Sequence, residues 1–194
     1  MVHIRIEDLE KYAKENNVPI MLKSGIDYLT KYIKVNNVKN ILEIGSAIGY
    51  SAIKMALVNS DISVTTIERD INMYNEAVKN INAFNLSNQI KIINADALDA
   101  DIIGKFDLIF IDAAKSQYIK FFEKYKHNLK DDGVIVTDNL DFHGLVLDDS
   151  NCGRNTKQLV RKIRTYIDFL KNNEEFHTEF ISLGDGISVS RRVA

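Results

Sequence analysis

With 194 residues, 45% of them hydrophobic, and 25 basic against 27 acidic side chains, the chain is sized for one compact domain with a sizeable core, and no composition break marks a second. A formal charge of −2 gives no global attraction to polyanions, so any nucleic-acid contact has to come from a local patch. The single cysteine, Cys152, excludes an intrachain disulfide and a thiolate metal cage. No apolar run approaches the roughly 18 residues needed to cross a bilayer, and the amino-terminal MVHIRIEDLEK carries charges where a signal peptide needs an apolar core. The expected compartment is the reducing cytoplasm, with no membrane partner.

Residues 5–16 have the pattern of a short polar helix, and the only proline, Pro19, forces an extended break over 18–21 (VPIM). A helix over about 24–35 carries Ile26, Leu29, Tyr32 and Ile33 on one face. Residues 1–37 thus form an amino-terminal helical segment ahead of a core over 38–194.

The stretch 41–51 (ILEIGSAIGYS) organises that core. A short apolar run stops at Gly45, a second glycine follows at Gly49, and a helical pattern begins at once: strand, tight turn, helix. Position 47 is Ala, so neither the G-x-G-x-x-G fingerprint nor a G-x-x-x-x-G-K-[ST] phosphate loop is present. Glu43, an acid just before the first glycine, suits a cationic ligand better than a pyrophosphate. The next strand, 62–67 (ISVTTI), ends in Glu68, nineteen positions after Gly49, close to where nucleoside-binding α/β folds place the acid that grips ribose hydroxyls.

Further along, a helix over about 71–84 turns Ile71, Tyr74, Ala77, Val78, Ile81 and Phe84 to the core. Strands at 90–93, 106–111 and 133–137 are separated by a helix over about 118–129. A long helix over about 156–172 precedes strands at 178–182 and 187–191. Near-continuous apolar strands alternating with helices predict an α/β parallel sheet covered on both faces. Only LGDG, 183–186, joins the last two strands, too short for a parallel crossover, so they form an antiparallel hairpin at one edge.

In such sheets ligands collect beyond the carboxyl ends of the strands. Those ends deliver Glu43, Glu68, Asp96, Asp112 and the pair Asp138-Asn139. Five carboxylates on one rim repel one another unless cations join them. Two carboxylates and an amide oxygen, Asp112 with Asp138 and Asn139, form a hard set suited to Mg²⁺, Mn²⁺ or Ca²⁺.

E-I-G-S-A-I-G-Y-S, then T-I-E, then N-A-D-A resemble class I S-adenosylmethionine-dependent methyltransferases, and within them the metal-dependent O-methyltransferases that include the catechol and caffeoyl-coenzyme A enzymes. The run 111–118 (IDAAKSQY) resembles that family's I-D-x-x-K-x-x-Y, which maps its catalytic lysine onto Lys115. The VPIM stretch with 138–146 (DNLDFHGLV) is similar to bacterial tRNA 5-hydroxyuridine methyltransferases, which make 5-methoxyuridine at the wobble position. The resemblance implies a Rossmann-like fold, with a seven-stranded, mostly parallel sheet whose last strand is antiparallel. It implies S-adenosylmethionine held by Met21, Glu43, Gly45, Ser51, Glu68, Asp96, Ala97 and Asp112, and a divalent metal, Mg²⁺ by preference, on Asp112, Asp138 and Asn139. Lys115 and Asp112 then carry the catalysis, and the protein is expected to be a homodimer, as its relatives usually are.

The acceptor divides the readings. From Arg154 to Lys171 the chain carries six basic residues against one acid, Asp168, and Arg154, Lys157 and Arg161 are the candidate contacts to a tRNA anticodon loop. Tyr166, Phe142 and His143 either stack on a base or fill core and loop. A small catechol-like or phenolic metabolite is the alternative acceptor, and a non-catalytic nucleotide-binding or interaction domain is the alternative of another class. Ala114 replaces the acid found there in caffeoyl-coenzyme A enzymes, which weighs against a plant-type acyl substrate.

Overall fold

The computed structural model describes residues 4–193. Among these, helices α1 (Ile6–Glu15) and α2 (Lys23–Val35) lead into β1 (Asn40–Ile44), α3 (Tyr50–Ala56), β2 (Ser63–Glu68), α4 (Ile71–Ala83), β3 (Ile90–Asn94), β4 (Phe106–Ile111), α5 (Tyr118–Tyr125), β5 (Leu129–Thr137), α6 (Arg154–Lys171), β6 (Phe176–Ile181) and β7 (Ile187–Arg192). The seven strands form one sheet in the order β3-β2-β1-β4-β5-β7-β6. Strands β1 to β5 pair in parallel, and β7 pairs antiparallel with both β5 and β6. The expected hairpin is therefore present, but its second strand inserts beside β5 and leaves β6 on the edge.

Alternation along the strands splits the core in two. Ile41, Leu108, Phe110, Val134 and Val136 face one side with α1 to α4, while Leu42, Ile109, Ile111 and Ile135 face the other with α5 and α6. Helix α2 buries Ile26, Leu29 and Ile33, as its period of 3.6 requires. The amino-terminal helices share the first core through Leu9 and Ala13, and Tyr50 Oη donates to Glu10 Oε1 across 2.8 Å. No helix among the described residues is long and apolar enough to cross a membrane.

Two local expectations are corrected. Ile71 is 52% exposed, because α4 begins at the sheet rim with Asp70 capping the amides of Asn72 and Met73; Asn80 is buried instead, its amide donating to the Ile48 carbonyl. Helix α5 ends at Tyr125, a 3-10 turn covers Lys126–Asn128, and β5 starts at Leu129 rather than at residue 133. The sheet overrides the polar sequence there: pairing jumps from Phe106 with Leu129 to Leu108 with Val134, so Lys130, Asp131 and Asp132 loop out as a bulge.

The order reverses at β1, whose neighbours are β2 on one side and β4 on the other. The carboxyl end of that switch point is where a ligand crevice forms in an open α/β sheet.

Candidate active site

The turn after β1 takes left-handed backbone three times in five residues, at Gly45 (φ 94°), Ala47 (φ 44°) and Gly49 (φ 84°). Gly45 is held against the end of β4, where an added Cβ would stand 2.3 Å from the Asp112 carbonyl oxygen. Ala47 tolerates its unfavourable φ because its amide donates to Glu68 Oε2 at 2.9 Å. The other oxygen of Glu68 accepts from the Asp70 amide at 2.8 Å, so the carboxylate expected to grip a ribose is also the brace of the glycine turn.

Glu43 takes a different place from the one expected of a ligand contact. It is fully buried beneath the turn, where its oxygens accept from Ser51 Oγ and Thr66 Oγ1. Burial raises its pKa to about 7 against the opposing pull of those two hydroxyls, and the charges of Asp112 and Glu68 push it the same way. Glu43 thus ties α3 to β2 from below and reaches a cofactor only through its field.

Above the turn lies a cavity of about 340 Å³ lined by Met21, Gly45, Ser51, Glu68, Asp96, Ala97, Asp112, Lys115 and Asn139 among others. Of the residues assigned to the cofactor from sequence, Glu43 alone is off this wall. Asp96 has two roles: Oδ1 accepts from the Leu98 amide in a local turn, and the residue borders the cavity. Sequence reasoning missed Ser46 and Gln117, which also line it; Ser46 Oγ and Gln117 Oε1 are buried without a partner among the described residues. Orphan polar atoms on a cavity wall call for a polar ligand.

On the cavity wall stand Asp112 and Asn139, with Asp138 beside them, contributed by the ends of β4 and β5. The Asn139 amide donates to Asp112 Oδ1 at 2.8 Å and to Asp138 Oδ2 at 3.2 Å, while Asp138 Oδ1 is buried without a partner among the described residues. Burial, joined by the neighbouring Asp112 charge, pushes Asp138 up to about 7. Asp112 is raised by burial too, against the pull of Lys115 and the Asn139 hydrogen bond. No group of three or more His, Cys, Asp or Glu among the described residues is placed to hold a metal. Two acids and an amide nonetheless fit a hard divalent cation: the set is oxygen-rich, one carboxylate oxygen is orphaned, and a half-turn of the Asn139 amide presents Oδ1 in place of Nδ2. Tyr118 fixes the β5 end from behind, its hydroxyl donating to the Asp138 carbonyl at 3.0 Å.

Lys115 opens a 3-10 turn (Lys115–Gln117) ahead of α5, and its Nζ lies 5.5 Å from the centroid of the Phe142 ring. Phe142 stacks on His143, ring centroids 5.7 Å apart. Tyr166 is removed from the base-stacking candidates: it is 1% exposed, hydrogen-bonded to Thr137 Oγ1 and packed edge-on against Tyr118.

On α6, Arg154, Lys157, Arg161 and Arg164 fall on one stripe at helical spacing. Two of them hold the preceding loop, Lys157 Nζ donating to the Ser150 carbonyl and Arg164 to the Val146 carbonyl. Arg154 and Arg161 are exposed and form no ion pair with a described residue.

The O-methyltransferase family model matches residues 2–193. The chain is 28% identical to a caffeoyl-CoA O-methyltransferase of Populus kitakamiensis over 98% of this chain and 85% of that protein. Against a catechol O-methyltransferase of Niastella koreensis it is 35% identical over 58% of this chain and 54% of the other. A crystal structure of a Staphylococcus aureus protein, provisionally named a caffeoyl-CoA O-methyltransferase, superposes with a TM-score of 0.93 at 41% identity, covering 98% of this chain and 93% of that one. A Bacillus cereus O-methyltransferase in complex with SAH gives 0.82 at 25% identity, covering 97% and 90%. The chain belongs to the O-methyltransferase family, and it is an S-adenosylmethionine-dependent O-methyltransferase of the caffeoyl-CoA and catechol type.

Proposed function

We propose that the protein methylates the 5-oxygen of 5-hydroxyuridine in a tRNA anticodon loop, with a divalent cation held by Asp112, Asp138 and Asn139. The observation that carries the tRNA reading is the cationic stripe of α6, with Arg154 and Arg161 free of ion pairs to the described residues beside the loop that follows Asn139. A local basic strip on a protein of net charge −2 is what phosphate contact requires.

The cavity lining supports the following placement of the cofactor. Glu68 receives the ribose hydroxyls, Asp96 and Ala97 border the base, and the sulfonium methyl faces Asp112 and Lys115. The donor supplies an electrophilic methyl, and a cation on the two acids and the amide would lower the pKa of the acceptor hydroxyl. In its neutral form Lys115 takes the hydroxyl proton at Nζ and becomes the ammonium, and Phe142 walls the acceptor ring on the same side. Asp112 offsets the positive charge of both donor and lysine. The chain's main contribution is to hold two substrates for an in-line displacement.

A small catechol-type acceptor is the second reading. It is favoured by the names of the relatives and by the use of Lys157 and Arg164 as loop ties, which halves the cations left for phosphate. Both acceptors present two vicinal oxygens, so the metal set serves either. The deciding experiment incubates the protein, Mg²⁺ and labelled S-adenosylmethionine separately with tRNA from a strain lacking this gene and with a catechol panel. The expected product is 5-methoxyuridine by nucleoside mass spectrometry; label in the catechols alone overturns the tRNA reading.

A further inference from the structure

Asp185, in the turn joining β6 and β7, is a buried carboxylate that neither the methyl donor nor the cation set employs. It is 4% exposed, and its Oδ2 meets no partner among the described residues. Its Oδ1 accepts the amide of His143, whose Nδ1 lies 3.4 Å from the same oxygen. The main chain of the turn accepts twice more: Asp141 N–H donates to the Asp185 carbonyl at 2.7 Å, and Leu140 N–H to the Gly186 carbonyl at 3.0 Å. The approach is so close that a Cβ on Gly186 would lie 2.6 Å from the Asp141 nitrogen.

What these bonds hold is strained. Asn139 (φ 66°), Phe142 (φ 48°) and His143 (φ 58°) are three non-glycine left-handed residues within five. Such backbone persists only where its surroundings over-determine it. The segment starts with the amide that bridges Asp112 and Asp138 and carries the ring that faces Lys115. Relaxing it toward ordinary φ would swing both away from the acceptor side.

We infer that Asp185 is a positioning residue for methyl transfer, acting through the 139–143 segment to place Asn139 and Phe142. The inference rests on the reading that Asp112, Asp138 and Asn139 form the acceptor side.

The test is amide hydrogen exchange over 139–146, run alongside turnover with whichever acceptor the wild type methylates and calorimetric affinity for the demethylated cofactor. Asp185→Ala is expected to lose protection at Leu140, Asp141 and His143 and to lower kcat at least tenfold, with cofactor affinity within twofold. Asp185→Asn, which keeps an oxygen acceptor for His143, is expected to restore protection and most of the rate. Unchanged protection in Asp185→Ala overturns the inference, and so does an Asp185→Asn that fails as badly as alanine, because charge rather than the tie would then matter. Should the alanine variant not fold, the wild type still decides: those amides exchanging as fast as exposed loop amides overturn it. Asn139→Ala assayed in parallel separates the two readings, since full activity there sinks the acceptor-side reading while leaving the exchange result standing.

Discussion

Gly45 and Asp112 are in near-contact, with room between the Gly45 α-carbon and the Asp112 carbonyl oxygen for a hydrogen but not a methyl group. This relationship locks the turn after β1 to the end of β4, the strand that supplies the acid nearest the chemistry. Gly45→Ala adds a Cβ where φ is 94° and the backbone is already touching. Strain and overpacking together are expected to cost on the order of 3 kcal/mol, with loss of cofactor binding ahead of global unfolding. Thermal melting with and without S-adenosylmethionine checks it; a variant stabilised by cofactor as strongly as wild type would refute the lock.

Glu68 braces the turn, and on the proposed reading it also takes the ribose hydroxyls. Glu68→Ala is expected to weaken cofactor binding by about 1.5 to 3 kcal/mol for lost charge-assisted hydrogen bonds. It also frees the Ala47 and Asp70 amides, so Glu68→Gln, which keeps one acceptor oxygen, is expected to lose less. Calorimetry with the donor and its demethylated product measures both, and equal affinity in all three proteins would remove Glu68 from the ribose contact.

Glu43 gives a pH dependence whose sign can be worked out. Its folded pKa, about 7, lies above the roughly 4.3 of an unfolded glutamate, so between these values the folded state binds the extra proton. Its contribution to stability is therefore complete below about pH 4.3 and is lost as pH rises toward 7. Urea midpoints of the cofactor-free protein should fall over that window, and Glu43→Gln should flatten the slope by up to about 1.4 kcal/mol per pH unit. An unchanged slope would mean that Glu43 is ionised in the folded protein throughout.

Much of this could be read from the chain because strand ends are marked locally. Apolar runs stop at Glu68 and Asp112, and Asp138-Asn139 closes another, so period and punctuation brought these residues to the carboxyl rim of the sheet. What escaped depends on distance. Nothing in LGDG distinguishes an ordinary turn from one whose Asp185 takes the amide of His143, 42 positions away. Glu43 was misplaced for a related reason: alternation along β1 settles which face a side chain takes, but Thr66 and Ser51, which draw it under the floor, belong to β2 and α3. Tyr166 sits on the apolar face of α6, and only its packing against Tyr118 shows that it is core.

If Asp112, Asp138 and Asn139 hold a cation, a separation of functions follows. Asp138→Ala and Asn139→Ala are expected to lower kcat by two orders of magnitude or more, a loss of about 3 kcal/mol of transition-state stabilisation, while cofactor affinity stays within twofold. Excess chelator should reproduce the effect in the wild type. Asp112→Asn should impair both functions, because Asp112 lines the cofactor cavity and also accepts from Asn139. Full turnover in chelator would defeat the metal reading without touching the cofactor site.

The acceptor is tested on α6, and the structure dictates which residues to change. Lys157 and Arg164 hold the loop over residues 146–150, so reversing either confounds phosphate contact with loop loosening. Arg154 and Arg161 carry no such tie, and Arg154→Glu with Arg161→Glu changes the field while leaving the loop in place. If tRNA is the acceptor, the pair should raise KM for tRNA at least tenfold, spare cofactor affinity, and reduce the fall of log(kcat/KM) with log salt, because fewer counterions are released on binding. Adding Lys157→Glu should deepen the defect and also quicken amide exchange around Ser150. A small catechol acceptor would be indifferent to the pair and to moderate salt, since no phosphate is neutralised. Steady-state kinetics on both acceptor classes at several salt concentrations decide it: a double variant that methylates tRNA at the wild-type rate across the salt range would remove the stripe, and with it the main support for a tRNA acceptor.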